Sequence, residues 1–500
     1  MAAEASSPRK CCAKSTGRPD GSKATLEGVL VRTLLALSAL VAAVSFSSAP
    51  HAARSSGSPY VAPPASGALF IVNGHGYGHG VGMGQWGAQG YAQQGYAYEQ
   101  ILAAYYPGTT LGQTSTTSIR VLLATGKKKL TISSRKPIAV EDGDGVDYTL
   151  PSGKTTFTPT LQLAVDGGPK QALAPPLTFS PAAGSTLTLG RAYRGQIAVD
   201  LTGKKLRAIN ALPLEQYLYG VVAAEMPSAW LPAALEAQAV AARSYALASR
   251  KAAAPFDVYA DGRSQAYLGI SAEKPAARQA VDLTAGEVLL YNGGVADTLF
   301  SSSTGGWTQS ASDAFGPPGR PYLVSVKDPY DSISPYHDWG PVAVTAKTLE
   351  HALGVKGAIV DATVKRNSSR RVKTLRLTSL SRGQQLTSSV SGATTASALG
   401  LRSAWFSVAV LSLQPPSSNP PVAPGTRVTL TGVVRGVSGA VVQRRSSGTS
   451  WELLRSVVPA AKTGAFHLAV KPRVTTQYRL ATTDDAAGSV RIRVDAATLG

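Results

Sequence analysis

Cysteine is almost absent from this chain. Its 500 residues include two cysteines, Cys11 and Cys12, which are adjacent and lie near the N-terminus. Disulfide bonds and cysteine-based zinc sites are therefore excluded for the rest of the chain. The 50 glycines, 32 prolines and 44% hydrophobic residues are typical of globular units joined by loops. This length suffices for two or three domains.

Acidic residues are also scarce, since 29 Asp and Glu stand against 49 Lys and Arg and give a formal net charge of +20. Such a charge favours an anionic partner, which could be nucleic acid, a membrane surface or another anionic polymer. The basic residues are scattered along the chain, and no basic helix with interleaved aromatic residues is evident. We therefore expect no nucleic-acid partner.

Long apolar runs are scarce as well. The run at residues 33–47 is short for a membrane span, follows a basic segment and precedes the small residues of SAPHAA, which end at Ala53. This order predicts a secretory signal peptide over residues 1–53 and a Ser/Pro/Gly/Ala linker over 54–67. An uncleaved membrane anchor is the alternative, because the basic segment is long and His51 fits poorly beside a cleavage site after Ala53.

Residues 212–250 carry the strongest pattern in the chain. Leu214, Leu218, Val221 and Val222 recur at helical spacing, and Glu225 falls on the same apolar face. Pro227 disfavours helical geometry at Met226, so Glu225 should lie at the helix C-terminus. Burial and the negative end of the helix dipole should both raise the pKa of this carboxyl, as a general acid requires. The alternative is a partly solvated boundary residue.

A second helix should begin near Pro232 and continue through the Ala-rich residues 233–249. Gln238 and Tyr245 are seven residues apart and share a face, while Arg243 projects from a neighbouring face. These side chains near Glu225 could bind a polyhydroxylated ligand. Alternatively, Arg243 pairs with Glu236 or caps a carbonyl group.

A Gly-rich stretch at residues 68–109 is the second informative region. Residues 68–72 predict a strand, the alternate glycines from 74 to 84 predict a loop, and residues 97–105 predict a helix. No βαβ pattern surrounds the formal GxGxxG match at residues 82–87, which excludes a dinucleotide site. His75 and His79 lack an acidic third ligand for a metal. A ligand-binding loop with His79, Gln85 and Trp86 and a purely structural turn both remain open.

These two regions carry a family resemblance. The string EQYLYGVVAAEMPSAW, followed by EAQAVAARSYAL, resembles the stage II sporulation protein D / LytB family of peptidoglycan lytic transglycosylases. The strings GHGVGMGQWGA and GYAYEQILAAYYPGT are similar to a segment that closes the domain in many members. Here that segment opens the chain, so we expect a circular permutation in which it docks beside the helices of residues 212–250. Trp86 stands where the family often has Tyr, and Gly84 where it often has Ser.

The resemblance implies a secreted or cell-wall-associated enzyme that cleaves peptidoglycan glycan strands. Glu225 would be its catalytic acid/base, Arg243 would assist, and five side chains would line the glycan groove, namely His79, Gln85, Trp86, Gln238 and Tyr245. No metal and no cofactor is expected, because the region at 300–308, which binds zinc in some members, has no cysteine here. A non-catalytic wall protein that modulates a cell-wall amidase or binds wall glycan is the alternative. An anionic wall polymer is a further candidate partner.

The rest of the chain predicts an α+β fold with a mixed catalytic domain over residues 68–413. Alternating short strands and turns indicate a β-rich insertion at 116–200, with a strand at 197–211 before the first helix. A helix near 273–283 and strands at 287–291 and 295–301 should follow. Asp328, Asp331 and Asp338, near His337, could position substrate, although turn capping is favoured. A Pro-rich linker at 414–425 should precede a small immunoglobulin-like β-sandwich at 426–500.

Overall fold

The computed structural model describes residues 67–250, 253–381, 384–416 and 419–495. The predicted signal peptide, the predicted linker up to residue 66 and both cysteines lie outside these ranges. No helix among the described residues combines the length and the apolar character that crossing a bilayer requires.

The described residues form a mixed structure in which strands outnumber helices. Its α-helices, in chain order, are α1 (Gln85–Gln93), α2 (Tyr98–Tyr105), α3 (Leu214–Glu225), α4 (Pro232–Ala248), α5 (Pro275–Leu283), α6 (Ala311–Phe315), α7 (Ala346–Leu353) and α8 (Gly392–Leu399). The predicted helices at 97–105, after Pro232 and near 273–283 are confirmed as α2, α4 and α5.

The strands before α3 are β1 (Leu69–His75), β2 (Met83–Gly84), β3 (Thr110–Gln113), β4 (Ser118–Lys127), β5 (Leu130–Ser134), β6 (Ile138–Glu141), β7 (Asp147–Leu150), β8 (Gly153–Phe157), β9 (Gln162–Ala164), β10 (Lys170–Ala172), β11 (Leu177–Pro181), β12 (Leu187–Leu189), β13 (Arg191–Tyr193), β14 (Gln196–Thr202) and β15 (Lys205–Pro213). The strands after α4 are β16 (Val258–Tyr259), β17 (Glu287–Tyr291), β18 (Gly294–Val295), β19 (Phe300–Ser301), β20 (Asp338–Thr345), β21 (Ala358–Arg366), β22 (Val372–Ser381), β23 (Gln384–Ser391), β24 (Phe406–Gln414), β25 (Val428–Arg435), β26 (Val441–Ser446), β27 (Glu452–Ser456), β28 (Ala465–Val470), β29 (Thr476–Ala481) and β30 (Val490–Ile492).

A seven-stranded sheet carries the helix that ends at Glu225. Its strand order is β16-β4-β15-β14-β11-β6-β7, and β15 runs directly into α3. Strands of the predicted insertion therefore belong to the sheet that supports α3. The single strand predicted at 197–211 is wrong, because a turn at Gly203, with φ +58, folds this segment into the antiparallel hairpin β14–β15.

The N-terminal strand β1 lies inside a second sheet, ordered β20-β1-β24-β25-β28. It pairs antiparallel with both β20 and β24. Phe70 and Val72 point into one hydrophobic cluster, whereas Leu69 and Ile71 point into another on the opposite face. This double burial explains why the strand is continuously apolar instead of alternating with polar residues.

The C-terminal strands continue this sheet across the predicted Pro-rich linker. β24, before the linker, pairs with β25, after it, and β25 pairs with β28. A second sheet, ordered β27-β26-β29-β30, covers them, and Leu69, Ile71 and Leu411 share its hydrophobic cluster. Two sheets thus enclose one core as in a sandwich, but that core includes β1 and β24. The immunoglobulin-like topology stays a prediction.

The Gly-rich loop packs along residues 299–309. Tyr77 forms a bridge with Ser303, and β2 pairs in parallel with β19. The loop predicted from alternate glycines is confirmed, but the single strand predicted at 295–301 is wrong. This segment changes its pairing partner along its length, since β18 pairs with β17 while β19 pairs with β2.

Helix α1 was not predicted, because Gly87 and Gly90 lower its intrinsic helix propensity. Both glycines allow close packing. A Cβ atom at Gly87 would lie 2.4 Å from both carboxylate oxygens of Asp328, and one at Gly90 would lie 2.3 Å from the carbonyl oxygen of Tyr330. Tertiary packing therefore requires residues that local propensity disfavours.

Two glycines with similar backbone angles provide a test of the loop packing. At Gly82 (φ +70) a Cβ atom would lie 1.9 Å from the carbonyl oxygen of Leu299, whereas at Gly95 (φ +83) it would meet nothing within 4 Å. We expect Gly95→Ala to lower the free energy of unfolding by about 1 kcal/mol through backbone strain alone. Gly82→Ala should cost at least twice as much by chemical denaturation. Equal losses would show that the loop does not depend on its contact with Leu299.

Candidate active site

Glu225 is the last residue of α3. Met226 leaves helical geometry, with φ −127 and ψ 144, directly before Pro227. The helix therefore ends where the sequence predicted. Glu225 as a residue is half-buried.

Two polar groups stabilise the charged form of the Glu225 carboxyl. The backbone N–H of Ala266 donates to Oε1 at 2.8 Å, and the side-chain amide of Gln85 acts in the same direction. Burial raises the pKa of Glu225 above its ordinary value, whereas Ala266 and Gln85 oppose this shift. The net upward direction agrees with the expectation from the apolar face, with burial as the principal cause.

The N-terminal helix α1 brings Gln85 to this carboxyl. Gln85 is the first residue of α1, and its Nε2 lies 3.4 Å from Oε1 of Gln238 on α4. Gln89, one turn later, accepts the backbone N–H of Leu231 at 3.0 Å. The expected docking of the Gly-rich segment beside the helices of 212–250 is therefore confirmed.

Gln238 is completely buried next to Gln85. Its Nε2 has no hydrogen-bond partner within the described ranges. A buried amide donor without a partner costs free energy, and such groups are usually satisfied by water or by a ligand. This unpaired donor is the feature of the site that points most directly to a bound polar group.

Tyr245 and Tyr217 complete the polar surroundings of Glu225. Burial, then the charges of Asp297 and Glu225, raise the pKa of Tyr245, and its ring contacts Phe300 at 6.3 Å between centroids. Burial raises the pKa of Tyr217, with smaller contributions from Tyr245 and Glu225. Both phenols therefore stay protonated donors at neutral pH.

Sequence reasoning missed Tyr217 and Gln265. The Tyr217 hydroxyl donates to Oε1 of Gln265 at 3.0 Å, and Nε2 of Gln265 donates to the carbonyl oxygen of Ala242 at 3.2 Å. Gln265 thus links α3 and α4 and precedes Ala266, the donor to Glu225. Tyr217 could have been found, because it lies eight residues before Glu225 on the same helical face, but no local signal marks Gln265.

Trp86 lies beside the site, with its backbone N–H bonded to the carbonyl oxygen of Ser302 at 3.0 Å. Its half-buried ring meets that of Trp230 edge to face, with centroids 4.8 Å apart. Trp230 was not among the predicted site residues. The two indoles form an aromatic rim between α1 and the start of α4.

His79 has a different environment. Its Nδ1 accepts the N–H of Val81 at 2.9 Å, and its ring contacts Phe315 at 5.9 Å. Burial and the charge of Arg371 lower its pKa to about 4, so the imidazole is neutral at pH 7. These contacts stabilise the Gly-rich loop, and no contact between His79 and Glu225 is found among the described residues.

Arg243 is completely buried and does not contact Glu225. Its Nε and Nη2 donate to the carboxylate of Glu215, in the first turn of α3, at 3.0 and 2.5 Å. Nη1 donates to the carbonyl oxygen of Glu287 at 2.9 Å. The alternative pairing with Glu236 is wrong, because the fold brings the start of α3 to the guanidinium group.

The acidic residues near His337 mainly fasten a loop. Asp331 is fully buried and accepts the backbone N–H groups of Thr304 and Gly305, and its Oδ2 lies 2.9 Å from Nδ1 of His337. Turn capping, which the sequence favours, is wrong for Asp331, because its carboxylate accepts from residues 303–305, which are distant in sequence. Asp328 is buried beneath α1, and burial together with the charge of Asp331 raises its pKa to about 7.

Asp338 lies at the surface, where its carboxylate contacts Nδ1 of His75 at 2.5 Å. Among the described residues, no cluster of three His, Cys, Asp or Glu side chains has the arrangement of a metal site.

Comparison with known proteins identifies the part of the chain that contains this site. Residues 202–291 match the family model of SpoIID, stage II sporulation protein. This range includes α3, α4 and the loop with Ala266, whereas Gln85 and Trp86 lie outside it.

Three curated relatives match over short ranges. Stage II sporulation protein D of Bacillus subtilis (strain 168) is 35% identical over 170 residues, which are 30% of this chain and 48% of that protein. The protein of the same name from Bacillus amyloliquefaciens is 32% identical over 159 residues, or 28% of this chain and 45% of the relative. The amidase enhancer of Bacillus subtilis (strain 168) is 39% identical over 114 residues, which are 23% of this chain and 15% of that protein.

The chain therefore spans less than half the length of each of these relatives. The family match, the relatives and the motifs around Glu225 nevertheless agree with one another. The predicted resemblance to the SpoIID/LytB family is therefore confirmed over residues 202–291, the part of the chain that contains Glu225.

Proposed function

We propose that this protein is a secreted, cell-wall-associated lytic transglycosylase that cleaves the bond between N-acetylmuramic acid and N-acetylglucosamine in peptidoglycan. The observation that carries the proposal is the Glu225 carboxyl, which lies on a half-buried residue, has a raised pKa and accepts a hydrogen bond from the backbone N–H of Ala266. Secretion is inferred from the predicted signal peptide at residues 1–53.

In the proposed reaction Glu225 acts first as an acid and then as a base. Its proton passes to the glycosidic oxygen as the bond from that oxygen to C1 of the muramic residue breaks. The C6 hydroxyl oxygen of the same sugar then bonds to C1, and its proton returns to the carboxylate of Glu225. The product carries a 1,6-anhydro ring and no water is consumed, so one carboxyl suffices where ordinary glycoside hydrolysis uses two.

The surroundings of Glu225 suit both halves of this cycle. Burial favours the protonated acid at the start. The N–H of Ala266 and the amide of Gln85 stabilise the carboxylate that forms when the proton leaves. Burial therefore raises the pKa of Glu225 while the two polar neighbours oppose this rise, so the same carboxyl can give up a proton and take one back.

The substrate would be held by groups around this carboxyl. The buried Nε2 of Gln238, which has no partner among the described residues, would donate to a water molecule or to a polar group of the bound sugar. The Trp86 and Trp230 rings offer an apolar edge of the kind on which sugar rings pack. We assign Gln85 and Tyr245 to the same groove, and His79 to the support of the Gly-rich loop.

Arg243 is assigned a positioning role. Its ion pair with Glu215 and its bond to the carbonyl oxygen of Glu287 join α4 to the start of α3 and to β17. In this way it fixes the helix that ends at Glu225, without contacting substrate.

The similarity to an amidase enhancer supports a second candidate function. In that case the protein would modulate a cell-wall amidase and its groove would bind glycan without cleaving it. Catalysis at Glu225 separates the two candidates.

The first prediction concerns the products. Peptidoglycan, intact and stripped of stem peptides by an amidase, should yield 1,6-anhydromuramic ends with the wild-type protein. Glu225→Gln should lower their formation by at least about 100-fold, because general acid–base catalysis supplies a factor of that order. Mass spectrometry of the released fragments measures these ends.

Glu141→Gln, which changes an exposed glutamate on β6, is the matched control and should retain full activity. Reducing ends instead of anhydro ends would indicate hydrolysis and a second carboxylate. No cleavage of either substrate would favour the modulator of an amidase.

The second prediction concerns stability and pH. Because the pKa of Glu225 is raised in the folded state, ionisation is easier in the unfolded chain, and folding loses stability as pH rises from the ordinary value of 4.5 through the folded-state pKa. Glu225→Gln should therefore gain stability relative to wild type as pH rises from 4 to 8. Urea titrations across this range measure the difference in free energy of unfolding between the variant and wild type. If Glu225→Gln instead loses stability relative to wild type as pH rises, this would contradict the raised pKa of Glu225.

The third prediction separates positioning from catalysis at Arg243. Arg243→Met leaves the carboxylate of Glu215 without its partner and should lower the free energy of unfolding by about 3 kcal/mol, with a parallel loss of activity. The double variant Arg243→Met/Glu215→Met should recover most of that stability, and activity should return with it. A stable but inactive double variant would instead assign Arg243 a direct contact with substrate.

A further inference from the structure

The outer face of the four-stranded sheet β27-β26-β29-β30 carries a basic cluster remote in sequence from Glu225. Val442, Leu480 and Ile492 are buried in the core on the inner face. Side chains between them point the other way, and the register places Gln443 opposite Arg479 and Arg445 opposite Gln477. Arg491 follows opposite Gln477 on β30. Glutamine and arginine therefore alternate along and across this face.

Each central arginine is held by a neutral partner. Nε of Arg445 donates to Oε1 of Gln477 at 2.7 Å, and Nε of Arg479 donates to Oε1 of Gln443 at 2.8 Å. Both guanidinium groups lie over the ring of Trp451, 4.6 and 4.2 Å from its centroid. The two cations are thus fixed beside one aromatic ring by amides that leave their charge uncompensated.

Carboxylates do not compensate this charge. Within the described ranges, neither Arg445 nor Arg479 forms an ion pair, and Glu452 pairs with Arg444 at 3.6 Å instead. Residues 426–495 contain eleven Lys and Arg but only four Asp and Glu. Burial, and then the repulsion from Arg445, lowers the pKa of Arg479. Two unpaired cations held together are costly in the free protein, and a bound anion would remove that cost.

The orientation of the arginines suits an anion. Since each uses Nε for its glutamine and has no other hydrogen bond with a described residue, the Nη groups remain available. A guanidinium fork binds phosphate or carboxylate oxygens through two parallel hydrogen bonds. The side-chain Nε2 groups of Gln443 and Gln477 form no hydrogen bond with a described residue and can donate to hydroxyl groups.

We infer that this face, defined by Gln443, Arg445, Trp451, Gln477, Arg479 and Arg491, binds an acidic polysaccharide through its phosphate or carboxylate groups. Neighbouring strands are about 4.8 Å apart, so cations from β26, β29 and β30 span about 10 Å and can contact successive charged units of a polymer. Alternation of cations with amide donors matches a chain that alternates anionic groups with hydroxyl groups. Because guanidinium groups already cover Trp451, its ring is not a platform for stacked nucleic-acid bases.

This binding would be coupled rigidly to the rest of the molecule. Strands β25 and β28, which the four-stranded sheet covers, continue the sheet that contains β1, and residues of both sheets share one core. A polymer on the outer face is therefore held at a fixed orientation to the α1 and α3 helices. The inference does not depend on catalysis by Glu225.

Binding of defined polymers to the full chain tests the inference. The probes are poly(glycerol phosphate), polygalacturonate, neutral dextran and duplex DNA, with Kd measured by calorimetry at several salt concentrations. Arg445→Gln/Arg479→Gln should raise Kd for one or both acidic polymers about tenfold and lower the slope of log Kd against log salt by about 2. Preference for the phosphate polymer or for the carboxylate polymer identifies the anionic group.

Arg427→Gln/Arg473→Gln removes the same charge from two exposed arginines outside this face and is the matched control. It should leave Kd within about twofold of wild type, since distant exposed charges are screened by salt. Equal weakening by both double variants would overturn the inference in favour of unspecific charge attraction. Tighter binding of DNA than of either acidic polymer, or equal binding of dextran, would also overturn it.

Discussion

The pairing of β1 between β20 and β24 is the constraint on which the rest of the structure depends. This strand joins the beginning of the described chain to segments some 270 and 340 residues later, and its alternate side chains fill two separate cores. Once β1 is fixed, the Gly-rich loop that follows it must run along residues 299–309. Helix α1 then lies beside the end of α3, and the side chain of Gln85 lies near Glu225.

The site at Glu225 balances opposite electrostatic effects. Burial destabilises the charged carboxyl, whereas Ala266 and Gln85 stabilise it. The donors come from different parts of the chain, one from the loop after β16 and one from α1. The balance therefore exists only when the N-terminal segment is docked. At Gln238, a buried amide donor that has no partner in the described part of the chain adds a further unfavourable feature, which is typical of sites that gain their missing partner from a ligand.

The C-terminal strands pair and pack directly with the preceding part of the fold, although a Pro-rich linker comes between them in the sequence. Residues 414–425 separate two strands that nevertheless pair directly, β24 and β25. Leu411 before the linker and Leu430 after it lie in the same core. Hydrogen bonds and apolar burial across the linker therefore hold the sheets together, and the basic outer face of the covering sheet is oriented by the same core.

The sequence by itself determined the local features of the site. Apolar spacing and Pro227 set the end of α3 at Glu225, Pro232 set the start of α4, and alternate glycines set a loop before α1. These are local steric and burial effects, so a short window of residues suffices to predict them. Only the tertiary structure decided the partners, because contacts between residues distant in sequence leave no local pattern. Arg243 pairs with Glu215 and not Glu236, Ala266 holds the carboxyl, and Gly87 and Gly90 form a helix because close packing against Asp328 and Tyr330 outweighs their poor propensity.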